Sequence, residues 1–449
     1  MKKTKIFLVI LLISTIIFNS QIHVLAEDFD YTNFNSIGIY VVEVNTGRVL
    51  IDKNSDEKYS PASITKVLSI ITALDYMGPN DRVDVTKEII GFTQPNSSMA
   101  EIVDGERLTF SQTIDAMLIP SGNDASYALA VACGKIILNN DQAEAKVALD
   151  AFITEMNIKA KSIGMTNSVF LNPDGYPVDG MYSTAKDLSM LGLEALKHKE
   201  ITSSTAKTSV SIETNKKNHK WVNSNLLIHK TMKSFGSDEG GNNPLYDSRN
   251  LGLKTGNAGD SKGRSLLFYS VEDDMALIGA VLHVLPSAKE TTWSASNKAS
   301  NYSFNNFDVL RLIDNSNREA VFEVSNNGLF VDSSLNLIAK DDLIYCIEEE
   351  YLGNLSLLVI PNEEFASMKM NEKLSLKKSL SAGDEVATGT FYYNNIKITE
   401  VQFIATESYR KVGIIDYLVY FVLIVGFGYL TVVFIIKSKD KQRKRKRYE

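Results

Sequence analysis

The amino-acid sequence predicts an α+β fold for residues 30–300, followed by a small β-rich domain at 305–408 and a membrane-spanning helix at 412–436. Three observations carry the first of these. The β-branched run Ile37-Gly38-Ile39-Tyr40-Val41-Val42-Glu43-Val44 meets the turn Asn45-Thr46-Gly47 and then Val49-Leu50-Ile51, the pattern of an antiparallel hairpin. Far downstream, apolar runs at 265–269 and 276–281 flank Glu272-Asp273-Asp274 and predict a second hairpin. Between the two the apolar period becomes helical. Ile64, Val67, Leu68, Ile71 and Leu74 recur at three- and four-residue steps, and Gly78-Pro79 stops that helix. Val147, Phe152, Ile153, Met156 and Ile163 mark a later helix closed by Gly164. Strands from both ends around a helical middle imply one sheet built from N- and C-terminal strands. Past residue 305 short strands at 321–324, 343–347, 356–360 and 390–393 alternate with turn residues, which predicts the β-rich domain.

The chain ends predict where the protein works. Met1-Lys2-Lys3-Thr4-Lys5, an apolar run from Ile6 to Phe18 and the small-residue site Val24-Leu25-Ala26 read as a secretory signal peptide over 1–26. From Val412 to Ile436 the chain is apolar apart from Asp416, longer than the ~20 residues a spanning helix needs. The basic tail 437–449 behind it places the C-terminus in the cytoplasm and the body outside, a single-pass protein of the cell membrane. A net charge of −7 gives no reason to expect nucleic acid. The two cysteines, Cys133 and Cys346, are assigned to different domains, and no disulfide is expected.

Three short elements carry chemistry. A serine hydroxyl needs a base, and in Ser63-x-x-Lys66 the two residues share one helix face. Six other pairs have that spacing: Ser55/Lys58, Ser183/Lys186, Ser204/Lys207, Ser375/Lys378, Ser408/Lys411 and Ser438/Lys441. Ser63 alone opens an apolar-faced helix, behind Pro61, where backbone N–H groups favour a developing oxyanion. The second element, Ser121-Gly122-Asn123, offers a hydroxyl for proton relay and an amide for a substrate peptide; its structural alternative is a polar turn capping the next helix. The third, Lys254-Thr255-Gly256, supplies a cation, a hydroxyl and a closely approachable backbone, on a strand-like segment. Alone each is weak. Their order and local context match the elements of penicillin-binding proteins and serine β-lactamases.

The sequence resembles the D-alanyl-D-alanine carboxypeptidases, the low-molecular-mass penicillin-binding proteins, over most of residues 35–285. Pro61-Ala62-Ser63-Ile64-Thr65-Lys66 and Ser121-Gly122-Asn123-Asp124-Ala125 carry the likeness, with Asn172-Pro173-Asp174-Gly175, Tyr182-Ser183-Thr184-Ala185-Lys186-Asp187-Leu188 and Asn223-Ser224-Asn225-Leu226-Leu227. The resemblance implies a transpeptidase-like domain, peptidoglycan stem peptides ending in D-Ala-D-Ala as substrate and β-lactam antibiotics as ligands; no cofactor is expected, and no metal, since His198, His219, His229 and His283 show no ligand spacing. By it Ser63 is the nucleophile, Lys66 the base and Ser121 the proton relay. Asn123, Lys254, Thr255 and Gly256 line the substrate, and the oxyanion hole is the N–H of Ser63 and of Asn257. Nearby Lys254 would lower the pKa of Lys66 by repulsion. Asn257-Ala258 departs from the family's usual residues, and 228–250 is expected to form an extra loop near the cleft. A class A β-lactamase would need a Glu-x-x-Leu-Asn segment, which is missing between Ser121 and Lys254. The alternative from another class is a non-catalytic penicillin sensor or wall-binding scaffold.

Overall fold

The computed structural model describes residue 29 and residues 37–235, 241–288, 291–314, 319–324, 334–348, 355–368 and 373–445. The expected signal peptide and the last residues of the basic tail lie outside them. The chain divides into two compact units: 22–309 with 346–350, and the remainder.

The first unit runs β1 (Gly38–Glu43), β2 (Val49–Lys53), α1 (Thr65–Leu74), β3 (Arg82–Asp84), α2 (Lys87–Ile90), β4 (Arg107–Thr109), α3 (Phe110–Leu118), α4 (Asn123–Ile137) and α5 (Ala145–Ser162). It continues with α6 (Ala185–Ala195), α7 (Lys199–Thr205), β5 (Ser209–Glu213), β6 (Asn218–Val222), β7 (Asn250–Asn257), β8 (Arg264–Glu272), β9 (Met275–Val284) and α8 (Thr292–Asn306). Both predicted hairpins form, and they join in one antiparallel sheet of order β2-β1-β9-β8-β7. The chain's first strands therefore sit beside its later ones, with β7 at an edge.

Successive residues of a strand face opposite ways, and here both faces are covered. Ile39, Val41, Phe268, Leu277 and Val281 join Ala295 and Ala299 of α8 in one core. Val42, Leu267, Ile278, Ala280 and Leu282 join α1 and the central helices in the other. Leu68 and Ile71 of α1 are fully buried there, as their spacing predicts.

α5 corrects one expectation. Its buried stripe is Ala145, Ala148, Leu149, Phe152, Met156 and Ala160, whereas Val147 is 50% exposed. At ~100° per residue, Val147 stands ~140° around the helix from Phe152. The helix ends as Gly164 predicts: Gly164 N–H donates to Lys161 O and Met165 N–H to Ala160 O, a Schellman closure.

In the second unit a five-stranded antiparallel sheet is ordered Glu319–Glu323, Ser334–Ala339, Ile396–Ala405, Glu385–Tyr393, Leu355–Pro361. Its core is built on Leu335, Leu337, Phe391 and Phe403. A helix at Ile414–Arg445 follows, and its segment Ile414–Lys439 is long and apolar enough to cross a membrane, with none of it buried in the protein. Both cysteines are buried and unbridged. Cys346 belongs to the first unit, with Cys133, because its strand end packs into the core under α8 and its carbonyl accepts from Arg48 Nη1 at 2.6 Å.

Candidate active site

The site starts at a tight turn. Ala62, Ser63 and Ile64 form a 3-10 turn that runs into α1, and Ala62 holds a left-handed φ of +47°. Such strain persists only where surrounding packing fixes it. Two glycines supply that packing. A Cβ on Gly175, itself at φ +82°, would stand 1.8 Å from Ala62 O. A Cβ on Gly256 would stand 3.0 Å from Ala62 Cβ and 3.4 Å from Pro61 O. The loop 172–175 and strand β7 thus close on the turn from two sides.

One helical turn later Lys66 comes back under Ser63. Its Nζ contacts Ser63 Oγ at 2.8 Å, Asn123 Oδ1 at 2.7 Å and Asp174 O at 3.0 Å. A neutral amine has two N–H bonds and one lone pair. Asn123 and Asp174 accept the two N–H groups, and the lone pair then faces the Ser63 hydroxyl. Lys66 is fully buried, and this burial brings its pKa down to about 8, against the pull of the Asp174 and Asp124 carboxylates. Burial, not the expected repulsion from Lys254, is the principal cause.

Asn123 is the first residue of α4, and Gly122, not Ser121, occupies the cap position without a side-chain bond. The capping alternative for Ser121 therefore fails; its backbone is left-handed at φ +65° and it lines the cleft. Asp124 fixes the adjoining wall. Its carboxylate accepts from Ala100 N at 2.8 Å and Ile102 N at 3.1 Å, while Asn123 N donates to Ser98 O at 2.8 Å. Trp221 Nε1 of β6 clamps Ala100 O from the other side at 2.9 Å.

The Lys254-Thr255-Gly256 element lies on edge strand β7, paired with Leu267, Leu266 and Ser265. Lys254 is 1% exposed and donates from Nζ to Thr255 O at 3.1 Å and Thr255 Oγ1 at 3.3 Å. Burial, then repulsion from Lys66, holds its pKa well below the ordinary lysine value. Thr255 Oγ1 also meets Ser224 Oγ at 2.6 Å.

A cavity of about 830 Å³ opens over this arrangement. Ser63, Ser121, Asn123, Thr255, Gly256 and Asn257 all line it, so six of the eight residues singled out from the sequence face one space. Lys66 and Lys254 lie beneath its wall. The described residues of 228–250 do not line it. They brace the segment behind it instead: His229 Nε2 meets Asn223 O at 2.8 Å, and Asn243 Nδ2 donates to Leu226 O at 2.7 Å. Ser224, Ser98, Tyr176 and the Asp174 carbonyl were not singled out. Segments containing Ser224 and Asp174 contributed to the resemblance, but nothing local marks a carbonyl as a partner of lysine.

A serine at a helix start, bonded to a buried, partly neutral lysine and facing a polar cleft, defines a serine acyl-enzyme hydrolase. Residues 30–285 match the family model of the D-alanyl-D-alanine carboxypeptidases, peptidase S11. The chain belongs to this family and is a serine-type carboxypeptidase. It is 26% identical to D-alanyl-D-alanine carboxypeptidase DacF of Bacillus subtilis over 388 residues, covering 84% of this chain and 87% of that protein. It is 26% identical to DacC of Escherichia coli over 389 residues, covering 83% and 84%. Among solved structures, the D-alanyl-D-alanine carboxypeptidase DacD from Francisella tularensis has the same fold, with a TM-score of 0.60 at 20% identity over 83% of this chain and 93% of that one.

Proposed function

We propose that the protein removes the terminal D-alanine from peptidoglycan stem peptides ending in D-Ala-D-Ala, and that β-lactams acylate the same serine. Ser63 Oγ attacks the carbonyl between the two D-alanines as its proton passes to Lys66 Nζ. The oxyanion is held by the N–H groups of Ser63 and Asn257. The C–N bond then breaks, and Ser121 relays the proton to the departing D-alanine nitrogen. Water hydrolyses the acyl-enzyme and restores the Ser63 hydroxyl. Asn123, whose Oδ1 is occupied by Lys66, turns its amide N–H groups to the substrate carbonyl. Lys254 Nζ donates to Thr255 Oγ1, and with Ser224 Oγ donating to it as well the threonine's own proton is left for the terminal carboxylate.

The observation that carries this reading is the three-way contact of Lys66 with Ser63, Asn123 and the Asp174 carbonyl. The apolar helix Ile414–Lys439 supports attachment to the membrane, with the first unit outside and the basic end in the cytoplasm. The test is release of free D-alanine from a diacyl peptide ending in D-Ala-D-Ala by the detergent-solubilised full chain, beside Ser63→Ala. Release that disappears in the variant supports the carboxypeptidase. Penicillin labelling of Ser63 without any release would overturn it in favour of a sensor.

A further inference from the structure

Charge is unevenly spread along the cleft. Among the described residues lining it there is no carboxylate; the charged ones are Lys262 and Arg264, and the segments 95–98 and 176–177 are uncharged. Arg264 stands opposite Asn257 in the β7–β8 ladder, so Lys262 lies past the end of that ladder, in the turn joining the two strands. Its side chain is exposed and makes no hydrogen bond or ion pair among the described residues. Asp260, the acidic residue of the same turn, lies outside the cavity lining. The turn itself is held at four points. Gly263 N donates to Gly259 O at 2.8 Å, Ala258 N to Gly263 O at 2.9 Å and Gly259 N to Asn257 Oδ1 at 3.0 Å. From β9, His283 Nδ1 donates to Lys262 O at 3.0 Å. A Cβ on Gly263, at φ +78°, would stand 2.9 Å from His283 C, so β9 packs directly behind the turn. Lys262 is thus a cation fixed at its backbone and unpaired at its head, on the wall of a cleft without acid.

Its place along β7 says which part of a substrate it meets. β7 is an edge strand, and an extended peptide beside such an edge advances about 3.3 Å per residue. With the terminal carboxylate at Thr255 and the scissile carbonyl at the N–H of Asn257, the peptide runs on toward Ala258 and the turn. Lys262 is therefore on the far side of Asn257 from the terminal carboxylate. The residue before the two D-alanines stands about 7 Å from the terminal one, and a long side chain there extends to the turn.

We infer that Lys262 selects the substrate by the charge at the end of that side chain. The preferred stem peptides are those in which the residue before the two D-alanines ends in a carboxylate, over those in which it ends in a free amine. This rests on the carboxypeptidase reading and adds the substrate class to it. One exposed ammonium–carboxylate contact is weak, but an amine-ended side chain is in addition repelled by both cations of the cleft. The two effects act in the same direction, and salt screens both.

The test uses the full-length solubilised protein and three peptides, acetyl-X-D-Ala-D-Ala, in which X is L-2-aminoadipate, Nε-acetyl-L-lysine or L-lysine. These side chains end in a carboxylate, a neutral amide and an ammonium. At low ionic strength the wild type is expected to favour aminoadipate over lysine about 3- to 20-fold in kcat/KM, and less so in high salt. Lys262→Gln is expected to cut that ratio at least about threefold, and Lys262→Glu to invert it. The neutral peptide is expected to change less than about twofold in either variant, since Lys262 is exposed and touches no reacting group. Equal cleavage of the charged peptides by the wild type, or a ratio unchanged in both variants, overturns the inference and leaves the carboxypeptidase reading standing. If the wild type cleaves none of the three, the carboxypeptidase reading falls. The ranking of Ser63 acylation by penicillins whose acylamino side chains end in a carboxylate or an ammonium then decides for or against Lys262. If no penicillin acylates Ser63 either, both fall.

Discussion

The protonation state of Lys66 sets the pH dependence of the first chemical step. With a pKa of about 8 in the folded protein, the amine is neutral in about 9% of molecules at pH 7, about half at pH 8 and about 91% at pH 9. Only the neutral form takes the Ser63 proton. The acylation rate is therefore expected to climb about tenfold between pH 7 and pH 9 and then level off. The direction of a further shift is fixed by the neighbours. The Asp174 carboxylate pulls the lysine's pKa upward, so Asp174→Asn moves the rising limb to lower pH, while its carbonyl still accepts from Lys66. The assay is the second-order rate of Ser63 labelling by a fluorescent penicillin from pH 6 to 9.5, in wild type and Asp174→Asn. A flat wild-type profile would refute the assignment of Lys66 as a base that titrates in this range. A limb that moves upward in Asp174→Asn would refute the electrostatic account.

Gly175→Ala forces a Cβ to within 1.8 Å of Ala62 O at a left-handed φ. It is expected to cost at least about 2 kcal/mol in chemical denaturation and to slow acylation more than about tenfold. Asp124→Ala frees the Ala100 and Ile102 N–H groups, each worth about 1–3 kcal/mol when left unsatisfied, and loosens the wall carrying Ser98. Peptide KM is expected to rise more than kcal-scale stability loss alone explains, read as KM and the urea midpoint of the same sample. Ending the chain before Ile414 is expected to move the protein from the membrane to the soluble fraction with penicillin acylation intact, followed by gel labelling of both fractions.

Much of this architecture was legible in the sequence because its signals are periodic. The hairpin at β1 and β2, the α1 stripe and the pairing of first strands with late ones follow from local patterns whose partners are fixed by apolar alternation. The stripe of α5 was read only in part, since Val147 is apolar but lies on the wrong side of the helix. The motif residues proved readable because each is held by its own element: Ser63 by a turn, Asn123 by a helix start, Thr255 by an edge strand. Contacts made through backbone atoms were not readable. The Asp174 carbonyl under Lys66 has no side-chain signature, and the bracing contacts of the described residues of 228–250 depend on tertiary placement.

The same spacing yields two opposite lysines, and the difference is where nearby carboxylates spend their oxygens. Ser204 and Lys207 repeat the Ser-x-x-Lys interval, but both bond Asp115, with Lys207 Nζ at 2.8 Å from each carboxylate oxygen. That lysine is a counter-ion, and its serine donates to the carboxylate rather than to the lysine. Two carboxylates also lie near Lys66, yet neither is its partner. Asp124 is occupied by the N–H groups of Ala100, Ile102 and Ala125, and Asp174 turns one oxygen to Tyr176 N and offers Lys66 only its carbonyl. A direct ion pair would favour the ammonium form and take away the lone pair that catalysis requires. Asp124 is tied to backbone N–H groups and Asp174 is bonded through one oxygen alone, its Oδ2 having no hydrogen-bond partner among the described residues, so both charges moderate the lysine without pairing directly with it. The nucleophile is thus set by what surrounds the Ser-x-x-Lys interval rather than by the interval, and this is why the element became informative only together with Ser121-Gly122-Asn123 and the loop that carries Asp174.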